Sequence, residues 1–215
     1  MKELLDKKNL DEKEAFEVCS YISEQIDLLN VANHKVDLPV PFSPSQVVTD
    51  EIVFFPGSFN PWHEGHTACL KGCEDKPIFI VPDHNPWKEV RKKNPWHEVV
   101  HIKENIKSIS DKNITIYPGF LVEGKKNPTS SWLPHVNVEK KWLLMGDDLF
   151  LGLHKWFEVD KLLSSLHGLY VCPRGESKEE LNKQKENFQK NFNLEIVFLD
   201  HHEFEDLSST QLRNK

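Results

Sequence analysis

Six short apolar runs set the pattern of the chain from residue 51 onward: Ile52–Phe55, Ile78–Val81, Ile114–Tyr117, Trp142–Met145, Leu169–Cys172 and Ile196–Leu199. They are close to continuously apolar, as strands buried on both faces must be. Helix-forming stretches lie between them, roughly at 64–73, 96–109, 148–154, 158–166 and 177–191. Strands alternating with helices predict an α/β fold: a Rossmann-like, doubly wound parallel sheet of five or six strands. In such sheets ligands bind beyond the carboxyl ends of the strands.

Ahead of that pattern, Phe16, Cys19, Ile22, Ile26 and Leu29 recur at helical spacing, with Asp11 placed to cap a helix reaching about Asn30. Pro39, Pro41 and Pro44 then mark a linker. Two units are expected: an N-terminal helical extension and linker over 1–50, and the main domain over 51–215.

The chain has 215 residues, 28% of them charged, and a net charge of −7. That balance argues against nucleic acid or an anionic membrane as the main partner. No apolar run approaches the ~20 residues that span a bilayer. The start, Met1-Lys2-Glu3-Leu4-Leu5-Asp6, is too charged for a signal peptide, so a cytoplasmic location is expected. Cys19, Cys69, Cys73 and Cys172 form no Cys-x-x-Cys pair and read as buried free thiols, with no metal site. An anionic ligand would need local cations, for which Lys88, Arg91, Lys92, Lys93, Arg174 and Arg213 are available.

The first strand runs into Gly57-Ser58-Phe59-Asn60-Pro61-Trp62-His63-Glu64-Gly65-His66, and a helix opens near His66. A Gly/Pro loop that enters a helix presents backbone N–H groups to an anion, and the helix dipole favours negative charge there. His63 and His66, three residues apart on that bend, can address the same anion. Near the other end, Ser208-Ser209-Thr210 opens a short helix that carries Arg213. Hydroxyls and N–H groups there can cap the helix or hold phosphate.

The first string resembles the HxGH signature of the nucleotidylyltransferases, and Ser208-Ser209-Thr210-Gln211-Leu212-Arg213 resembles the second signature of that superfamily. The stretch from Met145-Gly146-Asp147-Asp148 through Trp156 to Pro173-Arg174-Gly175 is similar to the nicotinate- and nicotinamide-mononucleotide adenylyltransferases. The resemblance spans roughly Ile52 to Arg213. It implies transfer of AMP from ATP, accompanied by Mg²⁺, to a mononucleotide. On that mapping Gly57, Ser58, Phe59 and Asn60 line the nucleotide, and His63 and His66 donate to its phosphates. Ser208, Ser209, Thr210 and Arg213 hold the triphosphate, and Lys88 contacts the acceptor phosphate. Gly146 and Asp148 serve the ribose, with Asp147 as the neighbouring candidate. Trp156 stacks on the pyridine ring or packs in the core, and Arg174 faces phosphate or solvent. Thr129 corresponds loosely to a ring-carboxylate contact.

Other readings stay open at this point. The acceptor could be phosphopantetheine, the donor CTP, or the fold a non-catalytic nucleotide sensor; self-association is open too. His97-Glu98-Val99-Val100-His101 fits the His-Glu-x-x-His pattern of zinc proteases, but no third ligand is evident and the segment falls where a sheet-covering helix belongs. His201-His202-Glu203 reads as a polar loop.

Overall fold

The computed structural model describes residues 50–83, 96–109, 112–117 and 127–213, with the backbone alone at Trp96, His97 and Arg213. The helix and linker expected over 1–50 lie outside the described residues, as do Lys88 and the Arg91-Lys92-Lys93 run.

Each of the six apolar runs forms a strand: β1 Glu51–Gly57, β2 Ile78–Pro82, β3 Ile114–Ile116, β4 Lys140–Gly146, β5 Gly168–Cys172 and β6 Glu195–Phe198. They make one parallel sheet in the order β3-β2-β1-β4-β5-β6. This is the doubly wound order of dinucleotide-binding folds, whose topological switch point lies between β1 and β4. The motif glycines Gly57 and Gly146 end those two strands.

Seven α-helices are described: α1 Glu64–Gly72, α2 Trp96–Ile106, α3 Thr129–Trp132, α4 Asp147–Gly152, α5 Val159–Ser165, α6 Lys178–Asn191 and α7 Ser209–Arg213. Strand residues alternate between the two faces. Phe54, Leu143, Met145, Leu169 and Val171 pack with Trp132, Phe150, Leu163 and Phe188 from α3 to α6. Phe55, Trp142, Leu144, Tyr170 and Cys172 pack with Cys69, Leu70, Val99 and Ile102 from α1 and α2. The His-Glu-x-x-His segment is therefore spent on sheet covering: Glu98 and Val99 are buried. Among the described residues, neither Glu98 nor His101 belongs to a group able to hold a metal ion. No helix of the described residues is long and apolar enough to cross a membrane.

One expectation is corrected. Cys69 and Cys172, read as free thiols, form a disulfide across 103 residues of sequence. Helix α1 lies against the face that carries Cys172, so the fold joins two thiols whose sequence positions give no hint of proximity. Cys73 is free and buried, and burial pushes its thiol up to about 12.

Candidate active site

At the end of β1 a Cβ on Gly57 would stand 2.9 Å from the Phe59 ring, so glycine lets Phe59 fold back over the strand end. Phe59 itself has φ 41°, a left-handed conformation uncommon for a bulky residue and often found at functional turns. Its ring meets Phe55, Trp62 and His66 with centroids 5.0, 5.0 and 5.1 Å away. Trp62, to which the sequence reading gave no role, donates from Nε1 to Thr67 Oγ1 at 2.9 Å and anchors the loop on α1. Ser58 and Asn60 are half-buried in this loop.

His63 is the N-cap residue of α1 and His66 sits on its first turn. The His63 backbone N–H donates to His66 Nδ1 at 3.2 Å. A nitrogen that accepts a backbone proton carries none, so neutral His66 holds its proton on Nε2. The two rings lie with centroids 3.7 Å apart. His63 is 3% exposed, yet neither ring nitrogen has a hydrogen-bond partner. Burial, aided by the Arg174 charge and opposed by Glu64, holds its imidazole down at about 4. A Cβ on Gly65 would lie 3.0 Å from His63 Nδ1 and 3.1 Å from the Phe204 carbonyl, which explains the glycine between the histidines.

The buried His63 predicts a pH dependence of stability. Its folded-state value of about 4 lies below the ordinary 6.5, so the unfolded chain binds the proton first. The stabilisation is complete above about pH 6.5 and fades as pH falls toward 4, up to about 3 kcal/mol in all. His202, whose value is lowered chiefly by burial, acts in the same direction. Urea unfolding of His63→Gln, compared with the parent between pH 7 and 4.5, should show a flatter loss; equal slopes would contradict it.

Across the switch point, β4 ends at Gly146, where a Cβ would come within 2.5 Å of Asp148 Oδ1 and 2.6 Å of Arg174 Cδ. Asp148 is exposed, whereas Asp147 is 2% exposed. The Asp147 carboxylate accepts the backbone N–H groups of Asp148 at 2.8 Å, Arg174 at 2.8 Å and Glu176 at 3.1 Å. Asp147 thus clamps the turn after β5, a task with no signature in the sequence. Asp148 is the carboxylate left facing outward. Beside them, beyond the ends of β5 and β6, lies a cavity of about 260 Å³ lined by residues including Asp147, Pro173, Glu176 and Asp200.

The guanidinium of Arg174 donates to the Leu207 carbonyl at 2.6 Å and so ties the end of β5 to the C-terminal motif. There Ser208 and Gln211 make a reciprocal capping box: the Gln211 N–H donates to Ser208 Oγ at 3.2 Å, and the Ser208 N–H to Gln211 Oε1 at 3.0 Å. Ser209 Oγ donates to the Pro61 carbonyl at 2.9 Å, across 148 residues. The two signature segments are therefore packed together. Thr210 is exposed, and the Arg213 side chain lies outside the described residues. Trp156 is half-buried against the core on the α3–α6 side, next to the 62%-exposed Phe157. Thr129 heads α3, half-buried.

Residues 54–215 match the cytidylyltransferase-like family. A "probable nicotinate-nucleotide adenylyltransferase" of Clostridium novyi is 31% identical over 173 residues, 75% of this chain and 84% of that protein. One of the same name from Clostridium botulinum is 32% identical over 171 residues, 74% of this chain and 82% of that protein. In fold, the chain resembles the Plasmodium falciparum nicotinic acid mononucleotide adenylyltransferase complexed with NaAD, with TM-score 0.57 and 19% identity over 76% of this chain and 82% of that one. The chain belongs to the cytidylyltransferase-like family and is a nucleotidyltransferase similar to the nicotinate-nucleotide adenylyltransferases.

Proposed function

We propose that the enzyme transfers AMP from ATP to nicotinate mononucleotide, releasing pyrophosphate and forming the dinucleotide, in the cytoplasm. The observation that carries this reading is His63. A buried ring with two unmatched nitrogens, packed at a tilt against a second imidazole beyond the end of β1, is a donor group without its acceptor. Phosphate oxygens supply that acceptor.

The nucleophile is a phosphate oxygen of the mononucleotide, already ionised near neutral pH, so no strong general base is needed. It attacks the α-phosphorus of ATP in line, and the bond to pyrophosphate breaks. The protein aligns the two phosphates and stabilises charge on the phosphoryl oxygens. His63 and His66 act as N–H donors, with the Gly57–Phe59 backbone alongside. Arg174, Thr210 and Arg213 face the triphosphate. The Ser208 oxygen accepts the cap hydrogen bond and keeps its own proton for a phosphate, whereas Ser209 chiefly seats α7 on the motif loop. Lys88 orients the acceptor phosphate. Asp148 binds the ribose of ATP, and the neighbouring cavity takes the base.

Mg²⁺ accompanying ATP would neutralise charge on the leaving pyrophosphate. The chain offers that ion little: Asp147 is occupied by three backbone N–H groups, which leaves Asp148 as the outward-facing carboxylate at the end of β4. Phosphate oxygens and water would therefore hold most of the ion's coordination, with Asp148 the nearest protein carboxylate to it.

The test pairs ATP or CTP with nicotinate mononucleotide, nicotinamide mononucleotide and phosphopantetheine, following pyrophosphate and the new product. ATP with nicotinate mononucleotide should turn over fastest. Preference for CTP or phosphopantetheine, or no pyrophosphate with any pair, would sink the assignment. Trp156→Ala should raise the mononucleotide KM by about tenfold, the loss of roughly 1 kcal/mol of ring stacking, with a smaller change in kcat. A variant that unfolds, or keeps its KM, would assign this indole to packing alone.

A further inference from the structure

The disulfide is a covalent link that the proposed reaction leaves unused. Its bond joins Cys69 on α1 to Cys172 at the end of β5, with Cα atoms 5.6 Å apart. A third side chain completes the cluster: His202 Nε2 lies 3.4 Å from Cys172 Sγ. The ligand atoms of all three residues fall within 4.8 Å of one another.

The composition, two cysteines and a histidine, invites a metal reading, but the hydrogen bonding opposes it. His202 Nδ1 accepts the Phe204 N–H at 3.2 Å. That nitrogen carries no proton, so the neutral ring bears its proton on Nε2 and directs it at the Cys172 sulfur. A nitrogen that bears a proton has no lone pair for a cation, and the sulfurs are already bonded to each other. The arrangement is instead a donor poised to stabilise negative charge on one sulfur of a disulfide.

Both cysteines are buried, Cys172 the more deeply. Cys69 is 6% exposed and Cys172 fully buried. Cys73, the neighbouring thiol, stays protonated with burial holding it at about 12, and so does not compete as a nucleophile. Each member of the cluster also leads into the nucleotide site. Cys69 follows His66 by one turn of α1, Cys172 precedes Arg174 by two residues, and His202 lies in the segment that runs to Ser208 and Ser209.

We propose that Cys69 and Cys172 form a reversible thiol–disulfide site whose reactant is a dithiol reductant, and whose state sets the affinity for ATP. A thiolate of the dithiol attacks Cys69 Sγ, and the Cys69–Cys172 bond breaks. The electron pair leaves on Cys172 Sγ, where the His202 N–H stabilises it. The second thiolate of the dithiol then attacks the first dithiol sulfur and displaces Cys69. Two electrons have passed to the protein, the dithiol has become a cyclic disulfide, and both cysteines take up protons. Reduction unties α1 from β5 behind the phosphate cradle and leaves the rest of the sheet intact.

The ATP effect rests on the adenylyltransferase reading, but the redox chemistry is measurable without turnover. The full chain is treated with oxidised glutathione or with dithiothreitol, then denatured, alkylated and weighed. Of its 4 cysteines, Cys69 and Cys172 should be protected in the oxidised sample and alkylated in the reduced one. The KM for ATP should rise on reduction by about fivefold or more, the lower end of coupled-site effects, and return on reoxidation. Cys69→Ser should show the reduced value and ignore dithiothreitol. His202→Asn, which can keep an acceptor for the Phe204 N–H but has no group at Nε2, should be reduced about tenfold more slowly, the loss of a hydrogen bond to a charged sulfur. Alkylation of both cysteines after oxidation, stoichiometric zinc in the purified protein, or one KM in both states would overturn the proposal. If no acceptor is turned over, the function fails separately, and thiol protection with the His202→Asn rate still decides the chemistry.

Discussion

Replacing His66 with alanine is expected to lower kcat by roughly 10²-fold or more, the scale on which removing one transition-state donor acts. The effect has two sources that can be separated. His66 Nδ1 accepts the His63 N–H and so fixes the entry to α1, while the proton on Nε2 is the donor proposed to reach the α-phosphate. Asparagine at this position can keep an acceptor near the Nδ1 site and has no group at Nε2. His66→Asn should therefore retain the unfolding midpoint better than His66→Ala while losing a similar factor in kcat. Turnover near the parent value in a folded His66→Asn protein would remove this imidazole from the reaction. Because His63 is neutral down to about pH 4, its ring acts as a neutral donor in the free enzyme. The acid limb that His63 contributes to kcat/KM should then lie below the ordinary histidine range.

The sheet was legible because its strands are buried on both faces and so write themselves as unbroken apolar runs; all six predicted strands formed, with ends displaced by one or two residues. α1, α2, α5 and α6 were legible for the complementary reason, since each carries one apolar face toward that sheet. The segment at Thr129–Trp132 gave less warning: four residues are too short for a helical period to appear. The histidine motif and the Ser-Ser-Thr turn could be found because their chemistry needs fixed spacing along the chain. What spacing along the chain cannot carry is pairing across the fold. The Asp147 clamp on the turn after β5, the Arg174 bridge to Leu207 and the Cys69–Cys172 bond all join elements distant in sequence. Arg174, read as facing phosphate or solvent, turns out to hold the C-terminal motif with part of its guanidinium, and its charge also depresses His63. Asp148 was read as the ribose carboxylate with Asp147 as the neighbouring candidate, and burial separates the two: Asp147 is 2% exposed and Asp148 exposed.

The second large effect is expected at Gly146, the residue where β4 hands over to α4. An alanine methyl there would press on Asp148 Oδ1 at 2.5 Å and on Arg174 Cδ at 2.6 Å, distances at which something must move. Displacing the carboxylate shifts the proposed ribose contact. Displacing the Arg174 side chain pulls on its guanidinium bond to Leu207, and through it on the segment that seats Ser209. A misplacement of about an ångström in aligned reactants is enough for a loss of order 10²-fold in kcat/KM. Gly152, at the other end of α4, provides the control. A Cβ there meets nothing within 4 Å, so Gly152→Ala should leave kcat/KM unchanged and hold or slightly raise stability, as alanine does in helices. Equal losses in both variants would mean that α4 responds to glycine removal as such. Loss confined to Gly146→Ala, with the unfolding midpoint retained, would place the damage where strand, carboxylate and guanidinium meet.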